Sequence, residues 1–600
     1  MTDNLHYGIV GNCRSCALVS KTGTIEWACL PEFDSSSVFA KILDEEKGGS
    51  FGFIVDDSYK ISQFYIENTT ILVTRFSHGE DVFEVHDFMP RYYKANGSYQ
   101  APPELIRYIK YISGKPKFKI NYNPKLEYAK GVTNTYIKDN FIVSLTYGDK
   151  FDTIFLYTNF DKQGVVNGDE IELTSDGYFL LGYNEKVFET TVENIFLEHE
   201  RTKVYWLNWV DRTPKYNLYN TEIIRSALTL KLLTYDKSGA VLAAATTSLP
   251  ETIGEVRNWD YRFCWIRDAS MVIKVVSQLG HKNIAKRYLN FIIDLIPHKD
   301  EKLQIMYGIN KEKKLTEHTL DHLKGYKNSS PVRVGNAAYK QKQNDIYGIL
   351  MDVIHQQFKT FTLDVENTEE LWTITKGIVW VVNKHWKEAD KGIWEFRAED
   401  RHFTFSKVLC WVAVDKAIKV ADLLGKTRKS TKWKILESEI REDIMEHAWN
   451  DEVKAFTQSY GSKDLDASVL LMEPYGFIDG RDPKYISTVN AIERELCNDG
   501  LLYRYKNQDD FGLPSSSFTI CTFWFINSLY KIGEVQKAKK MFDKLLSYSN
   551  HLGLFSEDID FKTKRLLGNF PQAYSHLALI ETAINLSEVT KEERVKHSIR

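Results

Sequence analysis

The sequence has no run of about 18 uncharged apolar residues, so no membrane-spanning helix is expected. Its first residues, MTDNLHYGIVGN, lack the basic stretch and apolar run of a secretory leader. Cysteine is scarce: seven in 600 residues, at positions 13, 16, 29, 264, 410, 497 and 521. An odd, scattered set fits a reducing compartment better than a disulfide framework, so a cytoplasmic chain is expected. Cys13 and Cys16 form a C-x-x-C, but zinc needs a second ligand pair and a redox motif needs a strand-to-helix setting. With only Cys29 nearby and strand-like flanks, they read as packed thiols. An excess of one charge is also missing. The net charge of −3 leaves no electrostatic footprint for nucleic acid. There is no GxxxxGKS/T, no GxGxxG after a strand, no GxSxG and no HExxH. No short-period repeat speaks for a solenoid.

What the chain has is length and aromatic rings. Six hundred residues imply two or three domains. Aromatics make up 13% of the sequence, enough for core packing and for platforms that face flat ligands. Residues 1–200 read as β. CALVSKTGTIEWACL turns at Lys-Thr-Gly, ILVTRFSHGEDVFEVHDF at His78-Gly79, ELIRYIKYISGKPKFKINY at Gly114 and FIVSLTYGDKFDTIFLYTNF at Gly148. Lys117–Tyr122 alternates with the period of a half-buried strand. From about 221 the period becomes helical. Twelve helices are expected, near 221–237, 269–280, 283–296, 345–359, 368–386, 405–424, 430–449, 465–476, 483–497, 516–532, 534–548 and 572–588. Gly280 and Gly425 mark two ends, and Asn367 before Glu369-Glu370 marks a start. Residues 201–220 fit neither pattern and read as a linker before a catalytic domain at 221–600.

Three inter-helix segments carry candidate chemistry. RNWDYRFCWIRD, 257–268, alternates Trp259, Tyr261, Phe263 and Trp265 with Asp260, Arg262 and Cys264. Extended, it would show one aromatic and one polar face. Such a surface suits a sugar, with its flat C–H faces and hydroxyl rim, and equally suits plain packing. Asp268 is a binding group or a helix cap. In KGIWEFRAEDRHFTFSK, Glu395 lies between Trp394 and Phe396. Flanking rings desolvate a carboxyl and favour the protonated acid that general acid catalysis requires. An ion pair with Arg397 or Arg401 is the plain alternative. In GLFSEDIDFKTKRLLGNFPQAYSH, Glu557, Asp558 and Asp560 precede Pro571, which is expected in the first turn of the last helix. They form a solvated acidic turn or supply one general base, and their spacing is not that of a calcium loop. His402 and His576 are isolated, so no metal site is expected.

Together these segments resemble glycoside hydrolase family 15, the glucoamylase-like family that also includes trehalases and other exo-α-glucosidases. YGIVGN, ALVSKTGTIEWACLPEFDSSSVFAKILD and GGSF look like its N-terminal β domain. RNWDYRFCWIRDAS, LQIMYGI, HLKGYKNSSPVRVGNAAYKQKQNDIYG, GIWEFR, HFTFSKVLCWVAVDKA and GNFPQAYSHLALI look like its catalytic domain. The resemblance implies a β-supersandwich followed by an (α/α)6 barrel, no cofactor, and hydrolysis of an α-linked glucose from a non-reducing end with inversion. By resemblance, Glu395 is the general acid and Glu557 the general base, with carboxyls roughly 6.5–9.5 Å apart. Arg267 and Asp268 hold the terminal glucose, Arg504 in GLLYRY binds sugar, and Trp259 and Trp394 are pocket walls. Many members carry an acidic, glycine-rich segment where this chain has DDFGLPSSSFTICTFW, so Ser515 to Ser517 are expected to line the rim differently. The expected substrate is a short soluble α-glucoside, handled as a glucoamylase handles it. Trehalose is the alternative, since its leaving group is itself a glucose. A non-catalytic sugar-binding protein would have lost one of the two glutamates.

Overall fold

The computed structural model describes residues 4–147, 151–187, 190–295, 303–360, 365–397 and 399–590. The N-terminal part is two antiparallel sheets face to face. One runs Tyr7–Gly11, Cys16–Ser20, Ile25–Cys29, Ser50–Ile54, Lys117–Asn123 and Ile171–Glu172, with Ser37–Phe39 also pairing with Ile25–Cys29. The other runs Thr133–Ile137, Ile142–Tyr147, Phe151–Thr158, Gly177–Tyr183, Glu104–Ser113, Asp81–Phe88, Leu72–His78 and Lys60–Tyr65. Between them lies one apolar core. Phe53 touches Phe76, Phe83, Phe118 and Phe179 within it. The alternation at Lys117–Tyr122 is explained by this core, because Phe118 and Ile120 are buried and Lys117 and Lys119 exposed.

The expected pairings around Lys-Thr-Gly and His78-Gly79 form, as does that between Ile142–Tyr147 and Phe151–Thr158. Gly148 itself lies outside the described residues. The turn at Gly114 differs: Glu104–Ser113 and Lys117–Asn123 belong to opposite sheets. Pro116 has no amide to extend a ladder, and its carbonyl accepts from Leu173 instead. An apolar alternation does not distinguish pairing with a neighbour from crossing to the facing sheet.

The first sheet is buried on both faces. Val10, Ala17, Val19 and Ala28 point into the sandwich, whereas Ile9, Cys16, Leu18, Trp27 and Cys29 point into the core of the helical part. All seven cysteines are free thiols, and only Cys497 is not fully buried. Of the residues expected as an irregular linker, 201–210 are helical: they belong to Val192–Val210, a helix that also takes in residues read as β and whose N-cap Thr191 accepts from the Asn194 amide. Its buried Ile195, His199, Thr202, Trp206 and Trp209 recur every three or four positions, a period masked in the sequence by the charges of HERTK.

Twelve further elements alternate between an outer and an inner layer. The inner ring is Ile266–Gln278, Asp345–Thr360, Thr404–Leu423, the 3-10 helix Ala467–Met472, Thr519–Lys531 and Ala573–Asn585, each packed on the next and the last on the first. Outside them lie Asn220–Leu232, Lys282–Leu295, Val365–His385, Thr427–His447, Pro483–Leu496 and Val535–Leu546. This is the expected sandwich followed by an (α/α)6 barrel, with one expected helix reduced to a 3-10 turn. Gly280 and Gly425 do end helices, with positive φ of 87° and 65°. The helix expected from 368 begins at Val365, and Pro571 precedes the last helix rather than opening it. Among the described residues no helix is long and apolar enough to cross a membrane.

Candidate active site

The inner elements begin at one end of the barrel, and a cavity of about 860 Å³, mouth included, opens there. Helix N-termini place partial positive charge around it. Arg267 and Asp268 come from the first turn of Ile266–Gln278, Tyr574 from the first turn of Ala573–Asn585, and Phe518 from the residue before Thr519–Lys531. Loops supply Trp259, Tyr261, Trp394, Glu395, Arg504 and Phe511. Asp268 does not cap its helix, which starts two residues earlier.

Glu395 sits on a loop whose base is closed by backbone bonds between Asp390 and Arg401. Its φ is +60°, a conformation that a side chain such as Glu rarely adopts and that marks stored strain. The carboxyl is partly open to the cavity. It accepts from the Trp265 indole at 2.7 Å, and its nearest cation is Arg267 at 4.0 Å. Arg397 and Arg401 stack over Trp259 and Phe396 instead. Burial raises the Glu395 carboxyl above its ordinary range, against the opposing pull of Arg267.

Glu557 does not line the cavity; it is fully buried behind Tyr261, which does. Tyr261 donates to it at 2.5 Å and the Asn569 amide at 3.3 Å. Burial, then the neighbouring Glu251, pushes Glu557 up to about 8. An ionised base at neutral pH was the expectation, and burial of Glu557 works against it. Asp558 points to Ser516 and is also raised by burial. Asp560 closes its own turn through Lys562 and Thr563, so the acidic run divides between wall and surface. Among the described residues no group of three or more potential ligands could hold a metal ion.

Arg267 is buried, donating to Gln343 at 3.0 Å and Asp345 at 3.3 Å. Asp268 Oδ1 lies 3.2 Å from its Nε, an ion pair short of hydrogen-bond geometry. Burial moves Asp268 up to about 6. Trp394 donates to Asp466 at 2.8 Å and packs on Phe518. Trp259 reaches the cavity, but Arg333 and Arg397 both lie over its ring, 4.5 Å from the centroid. Arg504 donates to Glu251, and Arg257 pairs with Asp509 at 2.6 Å. Ser515 to Ser517 do not line the cavity; Asp509, Asp510 and Phe511 from the same segment do. The structure thus brings six of the seven sequence candidates to the lining of one cavity, with Glu557 buried behind Tyr261. Sequence reasoning passed over Glu251, Asp345 and Asp509, which carry no local signal, and gave Tyr261 and Trp265 no individual part although both lie on the aromatic face.

A ring-lined cavity bearing several carboxyls, in the mouth of an (α/α)6 barrel, fits a glycoside hydrolase. The chain belongs to glycosyl hydrolases family 15, whose sequence model matches residues 217–584; a trehalase-like N-terminal model matches residues 5–147. It is 35% identical to a trehalase of Thermoplasma volcanium over 97% of this chain and 93% of that one. It is 36% identical to a trehalase of Mycobacterium tuberculosis over 98% and 90%. Trehalase 2 of Sulfolobus acidocaldarius is 31% identical over 98% and 100%. Among solved structures, a bacterial glucoamylase bound to acarbose superposes with a TM-score of 0.70 over 100% of this chain and 96% of that one, at 12% identity, which speaks to fold alone. The protein is an exo-acting glycosidase for α-glucosides.

Proposed function

We propose that the α-glucoside is α,α-trehalose and that its hydrolysis inverts the attacked anomeric carbon. The observation that carries this is end-to-end similarity, 31–36% identity over 95–98% of the chain, to six proteins named trehalase. It favours trehalose over the glucoamylase-like substrates expected first. Arg267 and Asp268 hold one glucose by charge-assisted hydrogen bonds. Glu395 gives its proton to the glycosidic oxygen as the C1–O bond breaks. Water attacks C1 from the opposite face and passes a proton to Glu557. The attacked unit leaves as β-glucose, and the departing unit keeps its α configuration.

The test is NMR of the sugar first formed from trehalose, maltose, maltotriose and isomaltose. The expected result is fast turnover of trehalose with α- and β-glucose in equal amounts. Two α-glucoses would refute inversion, and a preference for maltose would refute the substrate. Glu395→Gln and Glu557→Gln should each lower kcat by at least about a hundredfold; wild-type turnover in either would remove its role.

A further inference from the structure

Both catalytic carboxyls take a hydrogen bond from one short extended segment. Tyr261 donates to Glu557 and Trp265 to Glu395. Four positions apart, the two side chains share a face, and their rings meet edge to face at 5.3 Å. The other face carries Asp260, Arg262 and Cys264, and it points neither to solvent nor to the cavity. Arg262 is fully buried. It holds Asp260 through two bonds of 2.9 and 2.7 Å. Its remaining guanidinium nitrogen crosses to the N-terminal sandwich and donates to the Ser35 carbonyl at 2.9 Å. The guanidinium lies over the Trp27 and Tyr128 rings, at 5.8 and 5.6 Å, and Tyr128 donates to the same Ser35 carbonyl.

A second tie runs parallel. Residues 243–248 bond to the back of the segment: Ala243 to Phe263, Ala244 to Tyr261 and Ser248 to Trp259. Trp27 of the sandwich donates its indole N–H to Ala245 at 2.9 Å. The ties from the carboxyl-holding segment to the sandwich thus fall on Trp27, Ser35, Tyr128 and Cys29, whose thiol also accepts from Arg262 at 3.6 Å.

We propose that Arg262 is a positioning residue through which the N-terminal sandwich fixes the placement of the two catalytic carboxyls, by clamping the segment that carries Tyr261 and Trp265. The sandwich is on this account part of the catalytic apparatus without touching substrate. The inference rests on the roles given above to Glu395 and Glu557. Charge alone does not suffice at position 262: a lysine ammonium cannot bond Asp260 through two atoms and reach Ser35 in one plane. Displacement of a supporting shell by about 1 Å costs on the order of a hundredfold in rate.

The experiment compares kcat, KM, the pH profile of kcat/KM and the thermal midpoint for Arg262→Lys, Trp27→Phe and Glu557→Gln in the full chain. In Arg262→Lys kcat should fall about ten- to a hundredfold with little change in KM. Both limbs of the profile should move to higher pH, because the Tyr261 and Trp265 donors no longer stabilise the carboxylates as well. Trp27→Phe keeps a smaller aromatic ring and loses one hydrogen bond; it should shift the profile the same way, less far, and serves where Arg262→Lys does not fold. Folded variants with wild-type kcat, or with reduced kcat on an unmoved profile, would overturn the clamp. If Glu557→Gln retains the limb that rises with pH, the carboxylate assignment is wrong and the clamp falls with it. If Glu557→Gln loses that limb while Arg262→Lys leaves it in place, only the clamp is wrong.

Discussion

Glycine is the only residue that fits at position 568. Its φ is +73°, and a Cβ there would lie 2.6 Å from Oε2 of Glu557 and 2.7 Å from its Cβ. Gly568→Ala should therefore displace Glu557 and lower kcat by at least tenfold, on the order of the effect of misplacing a catalytic group, with KM little changed. Unchanged kcat in that variant would show that Glu557 has room to move. The two carboxyls also make opposite demands on pH. On the proposed roles, catalysis needs Glu557 ionised, so the rate rises with pH through its titration, and Glu395 protonated, so the rate falls with pH through that one. Burial raises both, and a bell alone does not say which residue owns which limb. Single substitutions do. Glu557→Gln should abolish the rising limb and Glu395→Gln the falling one; the reverse pattern would exchange their roles.

At the scale of elements, the 3-10 turn Ala467–Met472 takes the place of a full inner helix, and its N-cap, Asp466, has two tasks. One oxygen accepts from the Ser468 amide at 2.7 Å, and the other holds Gln458 and the Trp394 indole. Asp466→Ala should reduce stability by about 1 kcal/mol or more through the lost cap. It should also raise KM more than it lowers kcat, since Trp394 is freed while Glu395 stays bonded to Trp265. A variant with unchanged KM would remove Trp394 from the binding wall. Elements of this kind were the most legible part of the sequence. Their apolar period placed eleven helices, and Gly280 and Gly425 placed two ends. The helix Val192–Val210 was missed because its buried face mixes His199 and Thr202 with tryptophans, and the strand crossing at Gly114 because a period of two is the same in either sheet. Within the site, Glu395 was legible from its flanking rings. Arg504 rested on resemblance alone, and Glu251 and Asp509 had nothing local to mark them, since three-dimensional closure alone brings them to Arg504 and Arg257.

On the scale of the whole molecule, packing a sandwich onto a barrel buries ionisable groups in two opposing sets. Burial raises Glu557 to about 8 and Glu104 and Asp390 to about 7, from ordinary values of 4.5 and 3.8. These carboxyls bind their protons more tightly folded than unfolded. Their contribution to stability is present in full below the unfolded value and is lost as pH rises through the folded one. Burial moves four histidines the other way, His199 and His551 to about 4 and His281 and His576 to about 3. Their contribution is intact above the ordinary 6.5 and is lost as pH falls below it. Below pH 6.5 the two sets oppose each other. From pH 6.5, where the unfolded histidines are half charged, to pH 8, where they are neutral, their opposing contribution fades and the carboxyls come to dominate, so stability should fall as pH rises. The thermal midpoint should therefore drop across that window, and Glu557→Gln, neutral at every pH, should drop less steeply than the wild type. A midpoint that is level or climbs from pH 6.5 to 8 would mean that these carboxyls reach water in the folded protein, and with it that the cavity wall around Glu557 is open.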